Sequence, residues 1–347
     1  MWCKAVAACT VALLAILSGS AAIAQDAAPP LPAGASDALR DAIAASPLRR
    51  ADQLPPPPAN AAEWRRLIAL VDAPNLAEVE AYLADLPISA EPVSLNGVKA
   101  WRVTPDDVAP EFAGKVLMDL HGGAYVFFAG KGSLDESPLI ASRIRIPVVS
   151  VDYRMPPDHP FPAALDDAVV AYLALLEDYD ASDIAMGGTS AGGGLTLATV
   201  QRPKSLGYPL PGALYLGTPW ADLTKTGDTQ YTNENLDRIL VTYDNTLGAA
   251  ARLYAGMEGL NHPLISPMYG SLDGFPPTIL TSGTRDLFLS DVVRVHRKMR
   301  AAGVTTDLHV YEAMSHAGYI VSPDTPESHD MYREVAEFLK QHLSGTD

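Results

Sequence analysis

Cysteine is almost missing: the chain has two, Cys3 and Cys9, both near its start. The rest therefore has no disulfide, no thiol nucleophile and no cysteine-built metal site. Positive charge is short as well, with 25 Lys and Arg against 41 Asp and Glu for a formal net charge of -16. Such a surface repels phosphate backbones and anionic membranes, which excludes nucleic acid as an expected partner. A long apolar run occurs only over residues 5–17, short of the roughly 20 residues that a spanning helix needs, so no stable membrane span is expected. Internal repeats and sustained heptads are lacking too. With 48% hydrophobic and 19% charged residues, the composition is that of a globular chain rather than a disordered one.

What is present begins with a leader. Lys4, the apolar run and the small residues ending in Ala22-Ile23-Ala24 have the three parts of a secretory signal peptide, with cleavage expected after Ala24. Residues 1–24 are read as that signal peptide and the protein as periplasmic or secreted. No cysteine stands at the cleavage region to carry a lipid. Residues 25–92 read as an N-terminal arm, rich in Ala and Pro up to Pro55-Pro56-Pro57-Pro58, followed by two short cap helices over 61–70 and 76–86 separated at Pro74.

The period then changes. Asn96-Gly97 between β-rich runs predicts a hairpin. Beyond it, apolar runs at 115–120, 146–153, 183–188, 212–218, 278–284 and 306–312 alternate with helical stretches at 137–144, 163–178, 191–201, 289–302 and 327–343. Strands separated by helices predict an α/β fold with a mostly parallel central sheet covered by helices. One interval, 221–262, holds no strand and is read as a cap insertion over the carboxyl ends of the strands, dividing a core of 93–220 from its second part, 263–347.

The densest signal is "GGTSAGGG", residues 187–194, in which five glycines surround Ser190 between a strand and a helix. Gly188-Thr189-Ser190-Ala191-Gly192 fits G-x-S-x-G, the sharp bend that exposes a nucleophilic hydroxyl; its strand-to-helix context, more than the short pattern, gives it weight. A serine hydroxyl needs a base to take its proton and an acid to orient that base. Asp286, directly after a strand, and His316, after the last strand, stand in the order such an architecture requires. His309, His296, His329, His342 and His262 are assigned surface or packing roles, and Asp291 lies about one turn inside the following helix. "DLHGGAY", 119–125, offers a glycine loop after a strand, suited to binding an oxyanion through its amides, with His121 as an organiser of the loop.

Together "HGGAY", "DYRMPPDHPFPAALDDAVVAY", "GGTSAGGG", "GTRDLFLSD" and "SHAGY" resemble the hormone-sensitive-lipase-like family of α/β-hydrolases, the bacterial type IV esterases, with Thr189 marking the GTSAG branch. The resemblance implies an α/β-hydrolase fold with a helical cap and a carboxylic ester hydrolase acting on short- to medium-chain esters. It implies Ser190 as nucleophile, Asp286 as orienting acid, His316 as base, and amides of Gly122, Gly123 and Ala191 as the oxyanion hole, with no metal or organic cofactor. The one departure is Ala124, where the family usually has a third glycine; an alanine still offers its N–H. The expected partner is a small-molecule ester. Lactone and amide or carbamate hydrolysis use the same groups and stay open, as does a homo-oligomer. A non-catalytic ligand receptor on this fold would be betrayed by a lost triad member, and all three candidates are here. Asp158, His159 and the tyrosines at 125, 243, 254 and 319 are read as structural or as pocket walls.

Overall fold

Eight strands form one sheet in the computed structural model, which describes residues 30–343; the expected leader lies outside the described residues. The strands are β1 (Ile88–Leu95), β2 (Val98–Pro105), β3 (Val116–Leu120), β4 (Val148–Val151), β5 (Ile184–Thr189), β6 (Ala213–Gly217), β7 (Thr278–Gly283) and β8 (Thr306–Tyr311). Their order is β1-β2-β4-β3-β5-β6-β7-β8. β2 runs antiparallel to both neighbours, and every other pairing is parallel. The opening hairpin turns on Asn96 (φ 47°) and Gly97 (φ 94°), the left-handed pair that a two-residue turn requires. β1 begins at Ile88, ahead of the expected boundary at 93. Pro92 sits inside it without penalty because β1 is an edge strand, paired on one side only.

α1 (Asp37–Ala45) and α2 (Ala61–Asp85) precede the sheet. Between the strands lie α3 (Ser137–Ile144), α4 (Ala163–Leu175), α5 (Ala191–Ser205), α6 (Thr229–Thr232), α7 (Thr246–Ala255) and α8 (Leu289–Ala301), and α9 (Gly318–Val321) and α10 (Pro326–His342) end the chain. The two short helices expected around Pro74 are one, α2. Proline removes a single helical hydrogen bond, and packing of Trp64 on one side and Val79 on the other keeps the helix continuous. Its start is capped reciprocally: Asn60 Oδ1 accepts the Glu63 N–H, and Glu63 accepts the Ala59 N–H.

β3, β5, β6 and β7 are buried along their whole length. Successive residues face opposite layers: Met118, Leu214 and Leu216 pack with Leu165 of α4, Leu195 of α5 and Val292 of α8, while Leu117 and Tyr215 pack with Ile140 of α3 and Val335 of α10. Each such side chain contributes about 1.5–3 kcal/mol of burial. β3 has β4 on one side and β5 on the other, so the strand order reverses there. In open α/β sheets the crevice outside the carboxyl ends at that reversal is where ligands bind.

Candidate active site

Ser190 stands between the end of β5 and the first residue of α5, with φ 62° and ψ −120°, a conformation that residues with side chains rarely adopt. The neighbours explain how the bend is tolerated. A Cβ on Gly188 would lie 2.0 Å from the Leu120 carbonyl oxygen, and one on Gly192 would lie 1.7 Å from it. Glycine at both positions lets the end of β3 pack directly against the bend. Behind it, Thr189 Oγ1 and Tyr319 Oη are 2.7 Å apart in a buried contact.

The loops after β7 and β8 bring the partners. Ser190 Oγ is 2.8 Å from His316 Nε2, and His316 Nδ1 is 3.0 Å from Asp286 Oδ1. Asp286 is fully buried, His316 nearly so, and Ser190 keeps 8% exposure. Asp286 Oδ1 also accepts the Phe288 N–H (2.7 Å), and Oδ2 accepts the hydroxyls of Ser282 (3.0 Å) and Thr218. Those bonds aim the carboxylate at Nδ1, which fixes the imidazole tautomer with Nε2 free to accept a proton. Phe288 also sets its ring edge-on to His316, centroids 4.9 Å apart. Burial pushes His316 toward the neutral form, but the Asp286 charge and hydrogen bond, with the Asp237 charge, carry its pKa above the ordinary imidazole value.

The glycine loop is arranged by its carbonyls. Gly122 O accepts from His121 Nδ1 (2.9 Å) and, more weakly, from the Tyr153 hydroxyl (3.4 Å), both buried. In a trans peptide the next N–H points the opposite way, so the Gly123 amide is turned away from His121 and Tyr153, and Gly123 lines the cavity. Gly123 O accepts from Val126 (2.9 Å) and Phe127 (2.8 Å), so the Ala124 amide is turned away from them in the same manner. Gly122 lines the same cavity, as does Asp135. Ala191 opens α5, and its N–H has no acceptor within the helix. His121 is stacked on Tyr153 at 4.1 Å and pushed down to about 3 by burial, so it is neutral and acts as an organiser of the loop.

Above these groups is a cavity of about 630 Å³. Its walls are mostly apolar and include Leu54 and Pro55 of the arm, Leu67 and Val71 of α2, Phe127 and Phe128, residues 239–242 and 245–247 leading into α7, and Ile320 and Val321 of α9. Ser190, His316, Gly122 and Gly123 form its floor.

A family model described as an alpha/beta hydrolase fold matches residues 117–320. The chain belongs to the alpha/beta hydrolases. This hydrolase is similar in structure to an esterase, E25, at 44% identity and a TM-score of 0.90, covering 92% of this chain and 98% of that one. An esterase from the bacterial hormone-sensitive lipase family is 31% identical with a TM-score of 0.75, covering 89% of this chain and 100% of that one. Among curated relatives it is 32% identical to an acetyl-hydrolase of Streptomyces hygroscopicus over 65% of this chain and 76% of that protein. It is 30% identical to an esterase of Acinetobacter venetianus over 72% and 82%. The kinship with hormone-sensitive-lipase-like esterases that the motifs imply is borne out.

The remaining candidates of this hydrolase fall elsewhere. Asp291 is buried on α8, facing Arg294 and the Asp222 N–H. His309 pairs with Glu334, and Asp158 with Arg65 at the surface. Tyr125, Tyr243, Tyr254 and Tyr319 are buried packing; Tyr125 stacks on Tyr254 at 3.9 Å. Sequence reasoning missed Thr218 and Ser282, which hold Asp286, and the aliphatic cavity walls. No motif marks them; Thr218 directly follows β6 and Ser282 is the penultimate residue of β7, and only that nearness to a strand end could have suggested the first two. Among the described residues no helix is long and apolar enough to cross a membrane.

Proposed function

We propose that this hydrolase is a carboxylic ester hydrolase that works through an acyl-enzyme on Ser190. His316 Nε2 takes the hydroxyl proton as Ser190 Oγ attacks the ester carbon, and Asp286 stabilises the imidazolium that forms. The oxyanion lies among the amides of the Gly122–Gly123–Ala124 loop and of Ala191. The tetrahedral intermediate collapses, the C–O bond to the alcohol breaks, and His316 returns the proton to the leaving oxygen. Water then repeats the sequence, with His316 again as base, and releases the acid. The observation that carries this reading is the unbroken path from Ser190 Oγ through His316 to Asp286, at 2.8 and 3.0 Å. The apolar cavity favours short- to medium-chain esters.

Turnover of p-nitrophenyl butyrate is the test. Ser190→Ala is expected to lose about 10⁴-fold or more in kcat while unfolding at the wild-type temperature. Undiminished turnover in a folded variant rejects the assignment. Export is proposed from the leader, and sequencing the N-terminus of the protein recovered outside the cytoplasm is expected to begin at Gln25; a start at Met1 in that fraction contradicts cleavage.

A further inference from the structure

The segment between α6 and the cavity wall is bonded to the loop of the catalytic acid more closely than a cover needs. Asp237, 1% exposed, accepts three amides: Oδ2 takes the Leu287 N–H at 2.9 Å, and Oδ1 takes Ile239 at 2.9 Å and Leu240 at 3.2 Å. Leu287 directly follows Asp286; Ile239 and Leu240 line the cavity. Asn233 holds the other side of the same loop, donating Nδ2 to Asp286 O at 2.9 Å and Thr284 O at 3.1 Å. The Arg238 N–H reaches Ser315 Oγ at 3.1 Å, next to His316.

Resting on the reading of Ser190, His316 and Asp286 given above, we infer that Asp237, with Asn233, is a positioning residue: it ties the acid loop to the turn that walls the substrate cavity and backs the Asp286–His316 pair with a second negative charge. A second carboxylate beside Asp286 is unfavourable at rest. Burial and the Asp286 charge push Asp237 up to about 6, while His316 and the Leu287 and Ile239 amides act the other way. The compensation comes when His316 takes up the Ser190 proton, because the imidazolium then lies beside two carboxylates instead of one. The charged groups that act on Asp237 are Asp286 of the acid loop and His316; Glu234 and Arg238 lie on its own turn, and Arg285, next to Asp286 in sequence, feels Arg238 and Glu312. Arg49 of the arm also approaches, through the Arg238 and Ile239 carbonyls.

The test compares kcat and the pH profile of kcat/KM for p-nitrophenyl butyrate in folded variants. Asp237→Asn is expected to lower kcat about tenfold and to move the acid limb to lower pH, since a charge that favours imidazolium is gone. Asp237→Glu keeps the charge, so kcat falls and the limb stays. Asn233→Ala, which removes no charge, lowers kcat about fivefold with the limb unmoved. An unmoved limb in Asp237→Asn overturns the inference whatever its kcat. Should that variant fail to fold, wild-type kcat in Asn233→Ala overturns it. Retained turnover in Ser190→Ala is a separate result and rejects the hydrolytic reading itself.

Discussion

The bend that carries Ser190 is set by the end of β3, whose last carbonyl, that of Leu120, leaves no room for a side chain at Gly188 or Gly192. Gly192→Ala would place a methyl 1.7 Å from the Leu120 oxygen, a clash with backbone that no side chain can relieve. It is expected to destabilise the fold by more than about 2 kcal/mol and to abolish turnover, as read by thermal unfolding and by hydrolysis. Which amides of the glycine loop face the cavity was not legible, because a peptide's direction depends on what its carbonyl binds. Gly122 and Gly123 are identical as letters, yet the Gly122 carbonyl is held by His121 and Tyr153 while the Gly123 carbonyl accepts from Val126 and Phe127. Ser190, Asp286 and His316, by contrast, were legible because each follows a strand within a short local pattern. On the proposed mechanism His316 is the base and must be neutral to accept a proton; because its pKa is raised, the protonated, inactive form persists to higher pH than for an ordinary imidazole. Activity is lost as pH falls through that raised value, so the acid limb of kcat/KM is expected above 6.5; a limb below it contradicts the electrostatics of the site.

Strands and covering helices followed from period and length, since buried parallel strands read as short apolar runs and the helices between them as longer amphipathic ones. α2 did not, because a proline inside a helix reads as a break when the packing that retains it is distant in sequence. Pro74 itself lines the cavity, as do Leu67 and Val71 on the same helix. On the proposed reading, α2 sets the length of chain that fits above Ser190. Leu67→Trp is expected to fill part of that space, lowering kcat/KM about tenfold for p-nitrophenyl octanoate while leaving the acetate ester within about twofold. Equal losses on both esters would place Leu67 outside the acyl path. The arm acts on the same wall: Arg49 donates to the Arg238 and Ile239 carbonyls, and Asn245 Nδ2 to Pro55 O.

Taken over the full chain, the sheet does the work of assembly. Ser190 and His316 are 126 residues apart in sequence, and they meet because β5, β6, β7 and β8 lie side by side and parallel, with their carboxyl ends at one edge. The acidic surface, with its formal charge of -16, is compatible with small uncharged esters reaching this edge. Whether the assembled hydroxyl is reactive is answered most directly by a fluorophosphonate, which bonds covalently to an activated serine. After labelling, digestion and mass spectrometry, the adduct is expected on Ser190 alone, and His316→Ala is expected to label at least about 100-fold more slowly. An adduct on another serine, or labelling of His316→Ala at the wild-type rate, would contradict the role given to this pair.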